Sequence, residues 1–176
     1  MKVLLDTCVL YPVLLREILL RLARAGLYRP LWSARIFEEW AIRATKDGPE
    51  IGALVRGEQA VLAADFPKAS IAIPAGLEAR LWLPDPADVH VLAAAIAGSA
   101  DVLLTFNAQD FPRRTLAEED IDRASPDELL LELHDQATKE VEAVIAEIVM
   151  RLPEAPSARA VLKRAGLPRL GKRLAE

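Results

Sequence analysis

The chain has 176 residues and a formal net charge of −4, and 52% of its residues are hydrophobic. This balance predicts one folded domain, with room for an appendage, rather than a disordered chain. Charged residues at Asp6, Arg16 and Glu17 interrupt the apolar N-terminal stretch, so we expect neither a membrane span nor a secretory signal. The single cysteine, Cys8, allows no disulfide within the chain, which favours a reducing, cytoplasmic location.

The first third of the chain predicts a strand followed by helices. The apolar run over 2–6 predicts a buried strand. Leucines at helical spacing predict a helix over 13–25, which Gly26 ends. Ser33 is a suitable N-cap for a second helix, SARIFEEWAIRAT, and the stretch 47–64 is a third helix interrupted by glycines and a proline.

The middle of the chain predicts two more strands with a helix between them. The β-branched run over 70–73 is one strand, and DVLLTF over 101–106 is the other. The intervening helix has Asp85 as its N-cap and Gly98 as its terminator. This order predicts an α/β domain with a mostly parallel sheet that ends near residue 125.

The composition changes after residue 125. Ser125 begins a capping-box pattern, and we expect one long amphipathic helix over 127–152. Pro153 and Pro156 then break the chain before a short basic helix over 158–165. The last 50 or so residues therefore predict a helical extension of the α/β domain.

Acidic side chains lie where these predicted elements begin or end. Asp6 ends the first strand, Asp88 lies in the first turn of a helix, and Asp110 follows a later strand. Glu39, on the second helix, is placed to reach the same edge. Ligands of an open parallel sheet bind beyond the carboxyl ends of its strands. Carboxylates gathered there repel one another unless a cation neutralises them, and such oxygen ligands select Mg²⁺ or Mn²⁺.

Three segments carry these residues in order: MKVLLDTCVL, LWSARIFEEW and PDPADVHVLAAAIAGSADVLLTFNAQDFP. In this order and spacing they resemble a PIN-domain protein, specifically a VapC-type toxin ribonuclease. The resemblance implies a three-layer α/β/α domain with a mostly parallel central sheet over 1–125. The remainder, 126–176, resembles the helical C-terminal extension of a subgroup of these toxins.

The resemblance also implies a catalytic site. The acids of the family fall on four positions, expected to be both catalytic and metal-binding: Asp6, Glu39, Asp88 and Asp110. Many members have an aspartate where this chain has Asn107, so either Asn107 or Asp110 supplies the fourth ligand. Such proteins use one or two Mg²⁺ or Mn²⁺ ions to hydrolyse RNA. The partners implied are an RNA substrate, an antitoxin protein and a second copy in a homodimer, with no membrane.

Residues near the acids are assigned supporting roles. Thr7 and Thr105, close to strand ends, are expected to hydrogen-bond the metal-binding carboxylates. Three arginines are candidates for guiding the RNA backbone: Arg16, Arg35 and Arg43. His90, two residues beyond Asp88, is expected to point to a different helical face, as a structural or interfacial residue rather than a catalytic one. Three tryptophans are expected in the core or a dimer interface: Trp32, Trp40 and Trp82.

Two alternative functions stay open. A haloacid-dehalogenase-type phosphohydrolase also has an aspartate after its first strand, but it needs a second one two residues later, where this chain has Cys8. The other alternative is a catalytically degenerate PIN-type module that binds RNA or protein. The neutral Asn107 favours that alternative, because it removes one negative charge from the site.

Overall fold

The computed structural model describes residues 1–152 and 157–175. Within them, five parallel strands form one sheet in the order β3-β2-β1-β4-β5. The strands are β1 (Lys2–Leu5), β2 (Arg29–Ser33), β3 (Ser70–Ile71), β4 (Val102–Leu104) and β5 (Asp122–Ala124). The predicted three-layer α/β/α domain with a mostly parallel sheet is confirmed.

Helices connect and cover these strands. They are α1 (Thr7–Leu10), α2 (Val13–Arg24), α3 (Ala34–Thr45), α4 (Pro49–Asp65), α5 (Val89–Gly98), α6 (Arg113–Ala117), α7 (Pro126–Gln136), α8 (Thr138–Arg151), α9 (Ala158–Arg164) and α10 (Pro168–Arg173). Two short 3₁₀ turns, Glu78–Arg80 and Pro86–Asp88, precede α5. The predicted caps at Ser33 and Ser125 are confirmed, since each hydroxyl accepts a hydrogen bond from the backbone three residues on.

The sheet contains two strands that the sequence did not predict. Strand β2 lies between β1 and β3. Its sequence, RPLWS, begins with an arginine and a proline, which are not typical of a buried strand. Strand β5 is a three-residue polar edge, DRA, and too short to show any periodicity. Both are held in place by pairing with a neighbouring strand rather than by their own sequence preference.

Several predicted helix boundaries were wrong. The long helix over 127–152 is two helices, because the backbone turns at Ala137 with φ −144° and ψ 60°. The stretch 47–64 is a continuous helix from Pro49, because glycines inside it weaken a helix without ending it. Helix α5 runs through Gly98, and Ser99 adopts the left-handed conformation instead. The prolines predicted to break the chain, Pro153 and Pro156, lie outside the described residues.

The extension packs directly on the α/β domain. Helix α8 lies against α2, where Arg21 pairs with Glu147 at 2.9 Å and Glu17 pairs with Arg151. Buried leucines of α7 belong to the same hydrophobic core as the sheet. Trp32 and Trp40 are buried in that core, as predicted, whereas Trp82 is exposed. No helix in the described part of the chain is long and apolar enough to cross a membrane.

Candidate metal centre

Asp6 directly follows the central strand, β1, at the carboxyl end of the sheet. Strands β1 and β4 are neighbours with Leu5 opposite Leu104, so Asp6 and Thr105 emerge side by side. The chain moves outward from β1 to β2 and β3, then returns to β4 on the other side of β1. This reversal of strand order is where open α/β sheets form their ligand-binding crevice.

Two neighbours fix the carboxylate of Asp6, which is only 7% exposed. The Thr105 hydroxyl donates to Asp6 Oδ2 at 2.7 Å, and the Cys8 thiol donates to the same oxygen at 3.1 Å. Burial, together with the charge of Asp6, raises the pKa of Cys8 to about 12. Cys8 is therefore a protonated donor rather than a thiolate nucleophile.

The carboxylate of Asp88 is the point on which the acids converge. Burial, together with the charges of four neighbouring carboxylates, raises the pKa of Asp88 to about 6; the four are Asp6, Asp85, Asp110 and Glu39. All four of the predicted acids therefore act within one electrostatic cluster. Since each carboxylate disfavours ionisation of the next, a bound cation would stabilise the ionised cluster.

Asp85 is an additional acid that the sequence reasoning treated only as a helix cap. It is indeed the cap, because its Oδ1 accepts a hydrogen bond from the Ala87 amide at 2.8 Å. Carboxylate oxygens of Asp85, Asp88 and Asp110 also lie within 4.8 Å of one another. The motif DPAD could have indicated that Asp85 joins Asp88, because acids three residues apart at the start of a helix lie on the same face.

Asn107 connects two of these acids. Its side-chain amide donates to Asp88 Oδ2 at 3.3 Å and also to Asp110 Oδ2. Its backbone amide donates to Thr105 Oγ1 at 2.9 Å, which links it to Asp6 as well. In this arrangement Asp110 contributes a carboxylate to the cluster and Asn107 contributes a hydrogen-bond donor.

Glu39 approaches the cluster from α3 and is held from two sides. The Thr7 hydroxyl donates to Glu39 Oε2 at 3.2 Å, and Arg35 Nε lies 3.4 Å from Oε1. Burial raises the pKa of Glu39 above its ordinary value. The preceding Glu38 points elsewhere and accepts hydrogen bonds from Arg56.

His90, predicted to be a structural or interfacial residue, is buried beside Glu39. Its Nε2 lies 2.8 Å from Glu39 Oε1, although neither ring nitrogen has a partner in hydrogen-bond geometry among the described residues. The ring is 1% exposed, and burial lowers the pKa of His90 to about 4, with Arg35 contributing. A neutral imidazole therefore packs against this carboxylate.

Arg16 is not available to guide RNA, which corrects the sequence expectation. It is 6% exposed and donates to the Leu10 carbonyl at 2.6 Å and to Glu58 Oε1 at 2.8 Å. Its guanidinium also lies 4.7 Å from the Trp40 ring centre. Arg16 therefore ties α1 to α4, because its guanidinium satisfies the buried Leu10 carbonyl and pairs with the half-buried carboxylate of Glu58.

The other two arginines lie at the surface beside the site. Arg35 forms ion pairs with Glu39 and with Glu78. Arg43 lies 4.3 Å above the Tyr11 ring, and both line a groove of about 510 Å³ that also includes Thr7 and Glu39. A role for Arg35 or Arg43 in guiding RNA stays a prediction.

The donor set fits a hard divalent cation. Carboxylate oxygens are the ligands that Mg²⁺ and Mn²⁺ prefer, and those of Asp85, Asp88 and Asp110 lie close enough to share one ion. The neighbouring carboxylates help to raise the pKa of Asp88, and a divalent cation held there would offset their repulsion. The residues present therefore match the requirements of a metal centre.

Comparisons with known proteins agree with this geometry. The sequence profile of the PIN domain family matches residues 2–109, more than half of the chain. Searches of curated proteins and of solved structures found no match. PIN domains are generally metal-dependent nucleases, and the match leaves no support for the haloacid-dehalogenase alternative. On the strength of this match and its five-stranded parallel sheet, the chain belongs to the PIN domain family.

Proposed function

We propose that this PIN domain is an endoribonuclease that hydrolyses RNA phosphodiester bonds with the help of Mg²⁺ or Mn²⁺. The observation that carries the proposal is that carboxylate oxygens of Asp85, Asp88 and Asp110 lie within 4.8 Å of one another. The charges of Asp6 and Glu39 also help to raise the pKa of Asp88. A cluster of carboxylates destabilises the fold unless a cation neutralises it, because the negative charges repel one another. Its position at the switch point of the sheet is where a substrate would bind.

Four aspartates would hold one or two ions: Asp6, Asp85, Asp88 and Asp110. When bound, such a cation neutralises charge on the phosphate and makes water a better nucleophile. A protein general base is then not obligatory, so the neutral state of His90 is no obstacle. Asn107 would align two of the ligands through its amide donors.

Hydrogen bonds from the chain hold the carboxylates before any substrate arrives. Thr105 and Cys8 keep Asp6 in one orientation, and Thr7 orients one oxygen of Glu39. Glu39, at the side of the cluster, is placed to bind a cation or to accept a proton from an attacking water. Such preorganisation keeps the reacting groups in place without a rearrangement during the reaction.

Cleavage of RNA by the purified protein tests this proposal. We expect cleavage with Mg²⁺ or Mn²⁺, its loss in EDTA, and its loss in Asp6→Asn, Glu39→Gln and Asp88→Asn. Glu38→Gln is the matched control, because Glu38 is adjacent in sequence but bonds Arg56 instead of the cluster. Cleavage that persists in EDTA, or in all three site variants, contradicts the proposal.

We further propose that the chain is a VapC-type toxin, inhibited by an antitoxin protein and active as a homodimer. Support comes from the order and spacing of the three segments that resemble this group. Expression of the native chain is expected to arrest growth, and a neighbouring gene product is expected to relieve the arrest. Growth that is unaffected by a protein shown to cleave RNA contradicts the toxin role but not the nuclease.

We propose that the domain boundary lies near residue 125, with 126–176 as an extension built onto the nuclease domain. Strand β5 ends at Ala124 and α7 begins at Pro126, which supports this position. The extension shares the hydrophobic core of the sheet. Truncation after residue 125 is therefore expected to expose apolar surface and to reduce solubility, which sedimentation of the lysate measures.

A degenerate binding module is the second candidate, and Asn107 is the observation that favours it. An asparagine where many family members have an acid lowers the negative charge of the site. Isothermal titration with Mn²⁺ separates the two candidates. Absence of Mn²⁺ binding to the native protein supports the degenerate module, whereas binding that Asp88→Asn abolishes supports the metal-dependent enzyme.

A further inference from the structure

The last two helices, α9 and α10, form a basic surface and are called the basic helices below. Residues 157–175 contain no aspartate or glutamate, and their cationic side chains, all exposed, are Arg159, Lys163, Arg164, Arg169, Lys172 and Arg173. The whole chain has a formal net charge of −4, so the rest of it is acidic. Positive charge concentrated in this way attracts a polyanion.

The first turn of α10 is fixed at the end of the sheet that holds the metal centre. The carboxylate of Asp127 accepts hydrogen bonds from the backbone amides of Arg169 and Leu170, at 2.9 and 3.0 Å. Asp127 closely follows the end of β5, where the Ala124 carbonyl accepts a hydrogen bond from the Thr105 amide at 3.1 Å. Because the strands are parallel and in the order β1-β4-β5, α10 begins at the same end of the sheet as the acids.

The turn between α9 and α10 packs against the loop of the metal centre. Gly166 lies in this turn with φ +80°, and a methyl group on it would lie 3.1 Å from Phe106 Cζ. Phe106 directly precedes Asn107, whose side-chain amide donates to Asp88 and Asp110. The basic helices therefore contact the loop that leads into the acid cluster.

Three cations of the basic helices are available to bind an anion. Among the described residues, the side chains of Lys163, Arg164 and Arg169 form no ion pair and no hydrogen bond. Arg173, by contrast, pairs with Asp135 at 2.6 Å. All three available cations are within three residues of Gly166 in the sequence, and three residues span at most about 11 Å. They therefore surround the turn that contacts the loop of the metal centre.

Arg113, at the start of α6, extends this surface onto the α/β domain. It is exposed and follows Asp110 closely in the sequence. Hydrogen bonds from Ser125 lower the pKa of Glu128, and the charges of Arg113 and Arg169 lower it further. Both arginines therefore lie near one carboxylate, at the junction of the domain and the extension.

We propose that Arg113, Lys163, Arg164 and Arg169 bind phosphates of the RNA on one side of the scissile bond, so that the extension forms part of the substrate site. This proposal rests on the proposed nuclease function. All four residues lie beyond 2–109, the part of the chain that matches the PIN domain family, so that match assigns them no role.

The charges of the two surfaces complement each other. The acid cluster repels a polyanion, and a cation bound there attracts only the phosphate at the point of cleavage. Cations beside the cluster attract the neighbouring phosphates, and each contact releases counterions from the RNA. Phosphate contacts fix the register of a strand without reading its sequence. The basic helices would therefore hold the strand in place at the metal centre.

Salt-dependent binding of RNA tests this proposal. The probe is a fluorescent single-stranded RNA of about 20 nucleotides and mixed sequence, at a fixed low Mg²⁺ concentration and in an Asp88→Asn background that prevents cleavage. Arg164→Gln combined with Arg169→Gln is expected to weaken binding about tenfold at low salt. The slope of log affinity against log salt is expected to become shallower by about 1.4, since each phosphate contact of a single strand contributes about 0.7.

Two matched double variants separate local contact from overall charge. Arg29→Gln combined with Lys68→Gln removes the same charge from the amino ends of β2 and β3, at the opposite end of the sheet from the acids. This control is expected to change affinity less than about twofold, because salt screens distant charges. Arg164→Lys combined with Arg169→Lys keeps the charge and is expected to retain most of the affinity and the parent slope.

Cleavage kinetics supply a second measurement that a structural role would not reproduce. With Asp88 intact, Arg164→Gln combined with Arg169→Gln is expected to raise KM with little change in kcat. The reason is that these contacts bind the strand equally before and during the reaction.

A glutamine double variant that binds RNA with the affinity and the salt slope of its Asp88→Asn parent overturns this proposal and leaves the nuclease intact. Equal losses in the Arg29 and Lys68 control also overturn it, because the effect is then one of overall charge. The same conclusion follows if the variant keeps RNA binding but loses inhibition by an antitoxin, since the surface then binds protein. A native protein that neither cleaves nor binds RNA overturns both proposals.

Discussion

The side-chain amide of Asn107 donates a hydrogen bond to Asp88 Oδ2 across 3.3 Å. The same nitrogen donates to Asp110, so one neutral residue separates two carboxylates that would otherwise repel. From this relationship we propose different roles for the two residues that the sequence left as alternatives for the fourth ligand. Asp110 supplies charge, and Asn107 supplies a donor.

Exchanging these roles is expected to change metal affinity in opposite directions. Asn107→Asp adds a carboxylate, so we expect Mn²⁺ to bind about tenfold more tightly, whereas Asp110→Asn is expected to weaken binding by a similar factor. Isothermal titration measures both. Equal affinity in the native protein and both variants would show that neither residue acts on the cation.

Asp88 is expected to limit the stability of the metal-free protein. Its pKa of about 6 lies above the ordinary value of 3.8, so the folded chain loses stability as the pH rises through this interval. Asp88→Asn removes the effect, and we expect the melting temperature in EDTA at pH 7.5 to rise by about 2 °C, because partial solvent screening keeps the gain small.

At pH values well below 3.8 this gain is expected to vanish, since Asp88 is then protonated in both the folded and the unfolded states. Glu118→Gln is the control, because Glu118 forms only an exposed pair with Arg114. A melting temperature that falls in Asp88→Asn at pH 7.5 would mean that this carboxylate stabilises the fold through contacts, not through metal binding.

Replacing Arg16 by alanine is expected to destabilise the fold, whereas replacing Arg43 is expected to change its stability little. Arg16→Ala leaves the Leu10 carbonyl and Glu58 without their donor, and we expect a loss of about 3 kcal/mol in the free energy of unfolding. Arg43 is exposed, so Arg43→Ala is expected to change stability by less than about 0.5 kcal/mol. Urea unfolding measures both, and comparable losses would contradict this assignment of Arg16.

Two helical glycines provide a matched test of packing between α5 and the sheet. A methyl group on Gly98 would lie 2.8 Å from Leu31 Cδ1, whereas one on Gly57 would meet no tertiary neighbour within 4 Å among the described residues. Gly98→Ala is therefore expected to destabilise the fold by about 1–3 kcal/mol. Gly57→Ala, in α4, is expected to stabilise it by about 0.5–1 kcal/mol. Thermal unfolding of the two variants gives the comparison, and equal shifts would contradict the close approach of α5 to β2.

The elements that could be predicted are those specified by residues close together in the sequence. The caps at Ser33 and Ser125 and the apolar run of β1 each depend on neighbouring residues, so they could be identified from sequence. Strands β2 and β5 could not, because their pairing partners are distant in the chain. The break at Ala137 has no glycine or proline to mark it, and we find no local cause for it.

The site was predictable as a set of acids but not in its details. Asp6 follows a predictable strand and Asp88 begins a predictable helix, so their meeting at one end of the sheet could be foreseen. The contact of His90 with Glu39 depends on how α5 packs beside α3, which no local pattern specifies. The burial of Arg16 likewise depends on the tertiary position of Glu58.

The most direct test of the central claim is cleavage of a labelled single-stranded RNA before and after the metal is removed and restored. The native protein and Glu38→Gln are expected to cut with Mn²⁺, to stop in EDTA, and to recover when excess Mn²⁺ is returned. Asp88→Asn, folded by circular dichroism, is expected not to cut under any of these conditions. Cleavage by Asp88→Asn equal to that of the native protein would contradict a metal-dependent nuclease centred on this carboxylate.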